Sequence, residues 1–148
     1  MDILKRIAII KQILALLFRQ LALVKGKKRV EDFAEAIKIY EGWFPGSKSY
    51  RNNNPGNLRY TQQAGTTGQD PTGFAIFSTY DFGWNALVHQ LRIAINGVSQ
   101  VYNPEMTFQE FFSKYAPSSD NNDPDKYATF VAGRLGLTIQ DKIGQIEI

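Results

Sequence analysis

Apolar residues recur through the first segment in alternating steps of four and three: Ile3, Ile7, Ile10, Leu14, Leu17, Leu21 and Val24. That spacing places them on one stripe of a helix, as at the a and d positions of a coiled coil over three heptads. Leu4, Ile13, Leu16 and Phe18 flank the stripe, so the apolar face is wider than a two-stranded coil requires. Self-association into a bundle, packing on a partner protein or lying in a membrane interface would each cover it. Lys11, Gln12, Arg19 and Gln20 interrupt the run and argue against a simple transmembrane span. Lys25-Gly-Lys-Lys-Arg29 stands where a cleavage site would need small residues, so no cleavable signal peptide is expected.

Past this basic linker the pattern becomes that of a globular helical chain. Phe33, Ala36, Ile37 and Tyr40 share one face of a predicted helix over Val30 to Glu41, with Gly42 as its stop. Residues 43–56, with Pro45-Gly46 and three asparagines before Pro55-Gly56, read as loop. Two short strands, Asn57 to Tyr60 and Gly73 to Phe77, are expected to pair through a Gly-rich turn over 64–73. A capping box at Ser78-Thr-Tyr-Asp81 predicts a helix from Phe82 to Ile95, with Trp84, Leu87, Val88, Leu91 and Ile95 on one face. A second box, Thr107-Phe-Gln-Glu110, opens a short helix ending before Pro117, and Asp123-Pro124 opens one through Leu135. The expected architecture is an amphipathic helix and linker over 1–29, then one mainly helical domain over 30–148 with a small β-hairpin.

Composition narrows the chemistry. A chain of 148 residues with 43% hydrophobic content has enough apolar surface for one domain core. Residues 1–30 hold eight Lys or Arg against one acid, a balance of +7, and residues 31–148 hold nine against thirteen, a balance of −4. The basic pI therefore belongs to the first segment. No Lys/Arg stripe interleaved with aromatics follows Arg29, which disfavours a nucleic-acid partner. Cysteine is absent and His89 is the only histidine, so disulfides and thiolate metal sites are excluded and a Ser-His pair has one conceivable base. What remains is carboxylate chemistry, with no metal or organic cofactor implied.

Glu41 is the carboxylate to test first. It ends a helix beside Trp43 and Phe44, where apolar rings and the negative end of the helix dipole both disfavour the anion. A group that stays protonated near neutral pH suits a general acid, although glutamates at helix ends are also common solvated surface residues. The asparagines of Arg51-Asn-Asn-Asn-Pro-Gly-Asn57 have two readings as well: left-handed turn positions, or amides that hydrogen-bond sugar hydroxyls and acetamido groups.

Ala36-Ile-Lys-Ile-Tyr-Glu-Gly-Trp43, then Arg51-Asn-Asn-Asn-Pro-Gly-Asn-Leu-Arg-Tyr60, then Gly73-Phe-Ala-Ile-Phe-Ser-Thr-Tyr-Asp-Phe-Gly-Trp-Asn-Ala-Leu87 resemble the lysozyme-like peptidoglycan hydrolases of phage particles and lysis proteins. Lys114-Tyr-Ala-Pro117 and Asp123-Pro-Asp-Lys-Tyr-Ala128 continue the resemblance, which spans 31 to about 137. The superfamily includes goose-type lysozymes, lytic transglycosylases and autolysin-type N-acetylglucosaminidases.

The resemblance implies that Glu41 is the general acid and that Asn53, Asn54 and Asn57 line the glycan cleft. Tyr127 resembles a tyrosine that reaches the active site of autolysin-type glucosaminidases, with a ring-packed helix tyrosine as the alternative, and Tyr115 is a weaker case. Asp70, on the hairpin turn, is the candidate second acid, and Asp81 is assigned to a capping box. Trp43, Tyr60 and Tyr80 are candidate stacking platforms for sugar faces. The implied substrate is the peptidoglycan glycan strand in the periplasm or cell envelope. With one well-supported acid the expected outcome is transglycosylation, which needs no second protein carboxylate; the alternatives are hydrolysis, an inactive lysozyme-like structural or glycan-binding virion protein, or an oligomeric membrane or partner adaptor built around the first helix. His89 is expected on the surface.

Overall fold

The computed structural model describes the backbone of residues 1–148 and the side chains of all but residues 21–26. The chain is mainly helical with one small antiparallel sheet: α1 (Ile3–Gly26), α2 (Val30–Tyr40), α3 (Lys48–Arg51), β1 (Thr66–Gln69), β2 (Ala75–Phe77), α4 (Tyr80–Ile95), α5 (Phe108–Tyr115) and α6 (Pro124–Arg134). Single 3₁₀ turns lie at Ser118–Asp120 and Ile143–Gln145.

Asp2 caps α1, its carboxylate accepting from the Leu4 and Lys5 amides. The expected seam is exposed wherever side chains are described: Ile3, Ile7, Ile10, Leu14 and Leu17 all face solvent. Leu21 and Val24, the last two seam positions, lie outside the described side chains. Gly26, expected in the linker, is the last residue of α1. Among the described residues no helix is long and apolar enough to cross a membrane.

The body starts where the two ends of the domain meet. The Val30 amide donates to the Glu147 carbonyl and the Glu147 amide to the Lys28 carbonyl, both at 2.8 Å, so the C-terminal residues bracket the start of α2. Phe33 of α2 is fully buried against Phe108, Phe111 and Phe112 of α5, with ring centroids 5.3, 5.5 and 6.3 Å away. Leu87 and Leu91 of α4 and Val131 of α6 complete this core. Ile143 and Ile146 close it, so the tail beyond α6 belongs to the domain.

Three local expectations change. The strand that pairs along β2 is Thr66–Gln69, placed by the Gly-rich stretch read as turn. The expected strand at Asn57–Tyr60 makes only the Arg59–Phe74 bridge, flanked by Ala75 N–H to the Leu58 carbonyl and Tyr60 N–H to the Gly73 carbonyl. The α4 cap is Thr79, whose hydroxyl accepts from the Phe82 amide; Ser78 and Asp81 form no capping box, and Asp81 is exposed in the first turn. The loop over 43–56 contains α3, capped by Ser47. By contrast, the Thr107–Glu110 box and the Asp123-Pro124 start form as read from the sequence.

Candidate active site

α2 ends at Tyr40, and Glu41 is its C-cap, with Gly42 following at φ +71°. A left-handed residue there turns the chain off the helix and leaves the Glu41 side chain facing the rest of the domain. Tyr127 of α6 donates its hydroxyl to Glu41 Oε1 at 2.7 Å, and Asn57 donates its amide to Oε2 at 3.2 Å. The Tyr127 ring is buried, 3.9 Å from Tyr40 and 4.4 Å from Phe112 between ring centroids. Packing therefore fixes where its hydroxyl can point.

Burial pushes the Glu41 carboxyl above its ordinary range, and this outweighs the lowering by the Tyr127 and Asn57 hydrogen bonds and the Lys48 charge. Burial likewise holds the Tyr127 and Tyr115 phenols well above their usual values, so both act as neutral donors near pH 7. Asn57 Oδ1 is buried without a partner among the described residues. Its amide, held at φ +51°, presents N–H to an ionised Glu41 and, turned over, presents that acceptor to a protonated one. One side chain can thus face either protonation state of Glu41.

Glu41 opens into a cleft of about 930 Å³. One wall is Asn57, Leu58, Arg59, Thr61, Gln63 and Phe74 on the hairpin side. The other is Phe82, Asn85, Ala86, His89, Gln90 and Ile93 of α4, with Lys114, Tyr115 and Pro117 after them. Tyr115 donates to the Gly56 carbonyl at 2.6 Å and so ties α5 to the asparagine loop.

Several expected contacts are not made in this cleft. Asn54 is fully buried: its amide donates to the Leu58 and Ala75 carbonyls at 3.0 Å and its oxygen accepts from the Leu58 amide at 2.9 Å. Its hydrogen-bonding groups are committed to the fold, which removes it as a sugar ligand. Asn53, at φ +50°, donates to the Phe77 carbonyl and also lies outside the cleft lining. Trp43 and Tyr80 pack on each other with centroids 5.0 Å apart, beside Tyr50 and Trp84. They lie outside the lining because Tyr80 and Trp84 are on another face of α4 from Phe82, Asn85 and His89. Tyr60 packs partly buried against the core.

Asp70 does not line the Glu41 cleft. Its Oδ1 accepts from the Thr72 and Phe74 amides and the Thr72 hydroxyl, and its Oδ2 from the Asn52 amide. Although partial desolvation opposes the shift, these bonds hold its pKa at about 2. Asp70 organises the turn between β1 and β2. The acid that does line the cleft with Glu41 is Asp120, which is paired with Arg59 at 2.8 Å.

Lys48, Arg59, Phe74, Phe82 and His89 line the cleft without having been singled out for it. For α4 a signal existed: Phe82, Asn85, Ala86, His89, Gln90 and Ile93 follow helical spacing opposite the apolar stripe. Lys48 and Arg59 had none, because their place depends on how α3 and the hairpin fold back. No group of three or more metal-ligating side chains forms among the described residues. Comparison with protein-family models, with curated proteins and with solved structures yields no match.

Proposed function

We propose that this protein is a lysozyme-like glycosidase that cleaves the MurNAc–GlcNAc backbone of peptidoglycan in the cell envelope, with Glu41 as general acid and then base. The observation that carries the reading is the carboxyl of Glu41, half-buried at a cleft wall, shifted upward and held by two neutral donors. Glu41 donates its proton to the glycosidic oxygen as the bond to the anomeric carbon breaks. The substrate's own acetamido oxygen stabilises the positive charge at that carbon. The Glu41 carboxylate then takes the proton of the muramoyl 6-hydroxyl as O6 bonds to the anomeric carbon, giving a 1,6-anhydro end without consuming water.

Lytic transglycosylation is favoured over hydrolysis because the other cleft acid is occupied by Arg59 and Asp70 is committed to the turn. Digestion of purified cell wall in ¹⁸O-labelled water tests this. Unlabelled anhydromuramoyl ends are expected; labelled reducing ends would reject transglycosylation in favour of a muramidase or glucosaminidase. Glu41→Gln retains the shape and removes the proton, so cleavage should fall about 10²- to 10⁴-fold. Near-normal cleavage by a folded variant would remove Glu41 from the mechanism. The exposed apolar face and cations of α1 belong to the same proposal as an attachment device, covering itself with further copies, a partner protein or a membrane surface.

A further inference from the structure

The cleft has an uneven charge. Lys48, Arg59 and Lys114 line it against the two acids Glu41 and Asp120. Asp120 neutralises Arg59, and the Glu41 carboxyl is raised toward its neutral form by burial. Lys48 pairs with no carboxylate among the described residues, and it borders the acid itself.

Its position is built rather than incidental. Lys48 is the first residue of α3, which Ser47 caps by accepting from the Tyr50 amide. The Ser49 hydroxyl donates to the Glu41 carbonyl at 3.5 Å, which ties the backbone of α3 to that of the acid. The Lys48 ammonium stands 3.5 Å from the centroid of the Phe74 ring, on the hairpin wall. Arg59 lies 4.2 Å from the same ring and is held by Asp120 and by the Thr72 carbonyl at 2.7 Å. A ring contact steadies an ammonium without consuming its N–H donors. Lys48 therefore has a fixed place and hydrogen-bonding capacity beside the general acid.

We propose that Lys48 is an anion-recognition residue of the cleft, taking a substrate carboxylate next to the scissile bond and so selecting muramoyl-containing strands over uncharged glycans. This inference rests on the glycosidase reading and refines its substrate. The carboxylate has two sources with the same chemistry: the lactyl group of peptide-free muramic acid, or the stem peptide.

Binding is read by calorimetry on the full chain carrying Glu41→Gln, so that no ligand is cleaved, with Lys48 intact or replaced by Met or Arg. Methionine keeps an apolar stem over Phe74, and arginine restores charge and donors. The ligands, matched in length, are a chito-oligosaccharide, a peptide-free GlcNAc–MurNAc oligosaccharide and its peptide-bearing form. Lys48→Met is expected to weaken a carboxylate-bearing ligand about tenfold, to change the chito-oligosaccharide less than about twofold, and to be largely rescued by Lys48→Arg. Loss confined to the peptide-free strand assigns the lactyl carboxylate, and loss confined to the peptide-bearing strand assigns the stem peptide. Equal loss on charged and uncharged ligands, or no loss on either charged one, overturns the inference and leaves the glycosidase reading standing. Failure of the Lys48-containing protein to bind any of the three overturns both.

Discussion

At Glu41 stability and chemistry are opposed. A carboxyl whose folded pKa is raised binds its proton more tightly in the native than in the unfolded chain, so stability falls as pH rises through the interval between the two values. The cost is absent below the unfolded value of about 4.3 and complete above the folded one. Glu41→Gln removes it, and its amide suits Asn57 once that side chain turns its unpartnered Oδ1 toward residue 41. The melting temperature of the variant relative to the native protein should therefore rise as pH increases above about 4. A difference that stays flat with pH would show that burial does not perturb Glu41. Tyr127 acts in the opposite sense, since its hydrogen bond lowers the Glu41 pKa. Tyr127→Phe should move the alkaline limb of the kcat/KM profile upward in pH; an unmoved or lowered limb contradicts the arrangement.

The hairpin and α4 show what individual elements ask of the chain. Asp70 ties Thr72, Phe74 and Asn52 into one turn, so Asp70→Ala should destabilise the domain by about 1.5–3 kcal/mol, the usual range for hydrogen bonds to a charged group. With the native pKa at about 2, that contribution is complete above the unfolded carboxylate value and is lost as pH falls through about 2. Denaturation of both proteins at neutral and acid pH should show the gap closing on the acid side. α4 meets the asparagine loop at Gly83, where an added Cβ would stand 1.8 Å from the Asn53 carbonyl oxygen. Gly83→Ala must push the loop and α4 apart, and it should lower both thermal stability and cleavage although it touches neither Glu41 nor the cleft lining. An alanine variant as stable as the native protein would show that this approach is slack.

For the molecule as a whole, the division falls near residue 27. The core of α2, α4, α5 and α6 is closed by the C-terminal residues on Lys28 and Val30, while the described apolar positions of α1 face outward. Removing residues 1–27 keeps Lys28 and should leave a folded domain with undiminished cleavage of soluble glycan, whereas the full chain is expected to self-associate or bind anionic vesicles. Sedimentation, vesicle flotation and circular dichroism separate the cases; an unfolded truncated protein would place α1 in the core.

Helix positions, the caps at Thr107 and Asp123 and the apolar faces of α2 and α4 were legible because they depend on neighbours within four residues. Glu41 was marked as a candidate by the resemblance of its surroundings more than by its helix-end position, since Phe44 is exposed and Trp43 packs on Tyr50 and Tyr80. The partners of that acid were less legible: Tyr127 lies 86 positions away and Asn57 16. Sequence also cannot distinguish an asparagine that binds backbone from one that faces a cleft. Residues 52–57 contain both kinds, with Asn54 sealed against Leu58 and Ala75 and Asn57 turned to Glu41. The strand pairing moved for a related reason, since Leu58 to Tyr60 and Thr66 to Gln69 both lie beside the residues around β2 and only the folded register chooses between them. The sequence by itself determined a mainly helical chain with a cationic amphipathic start, and it singled out one candidate acid. Tertiary structure decided which groups surround that acid, because burial, hydrogen bonds and charge act through space between segments distant along the chain.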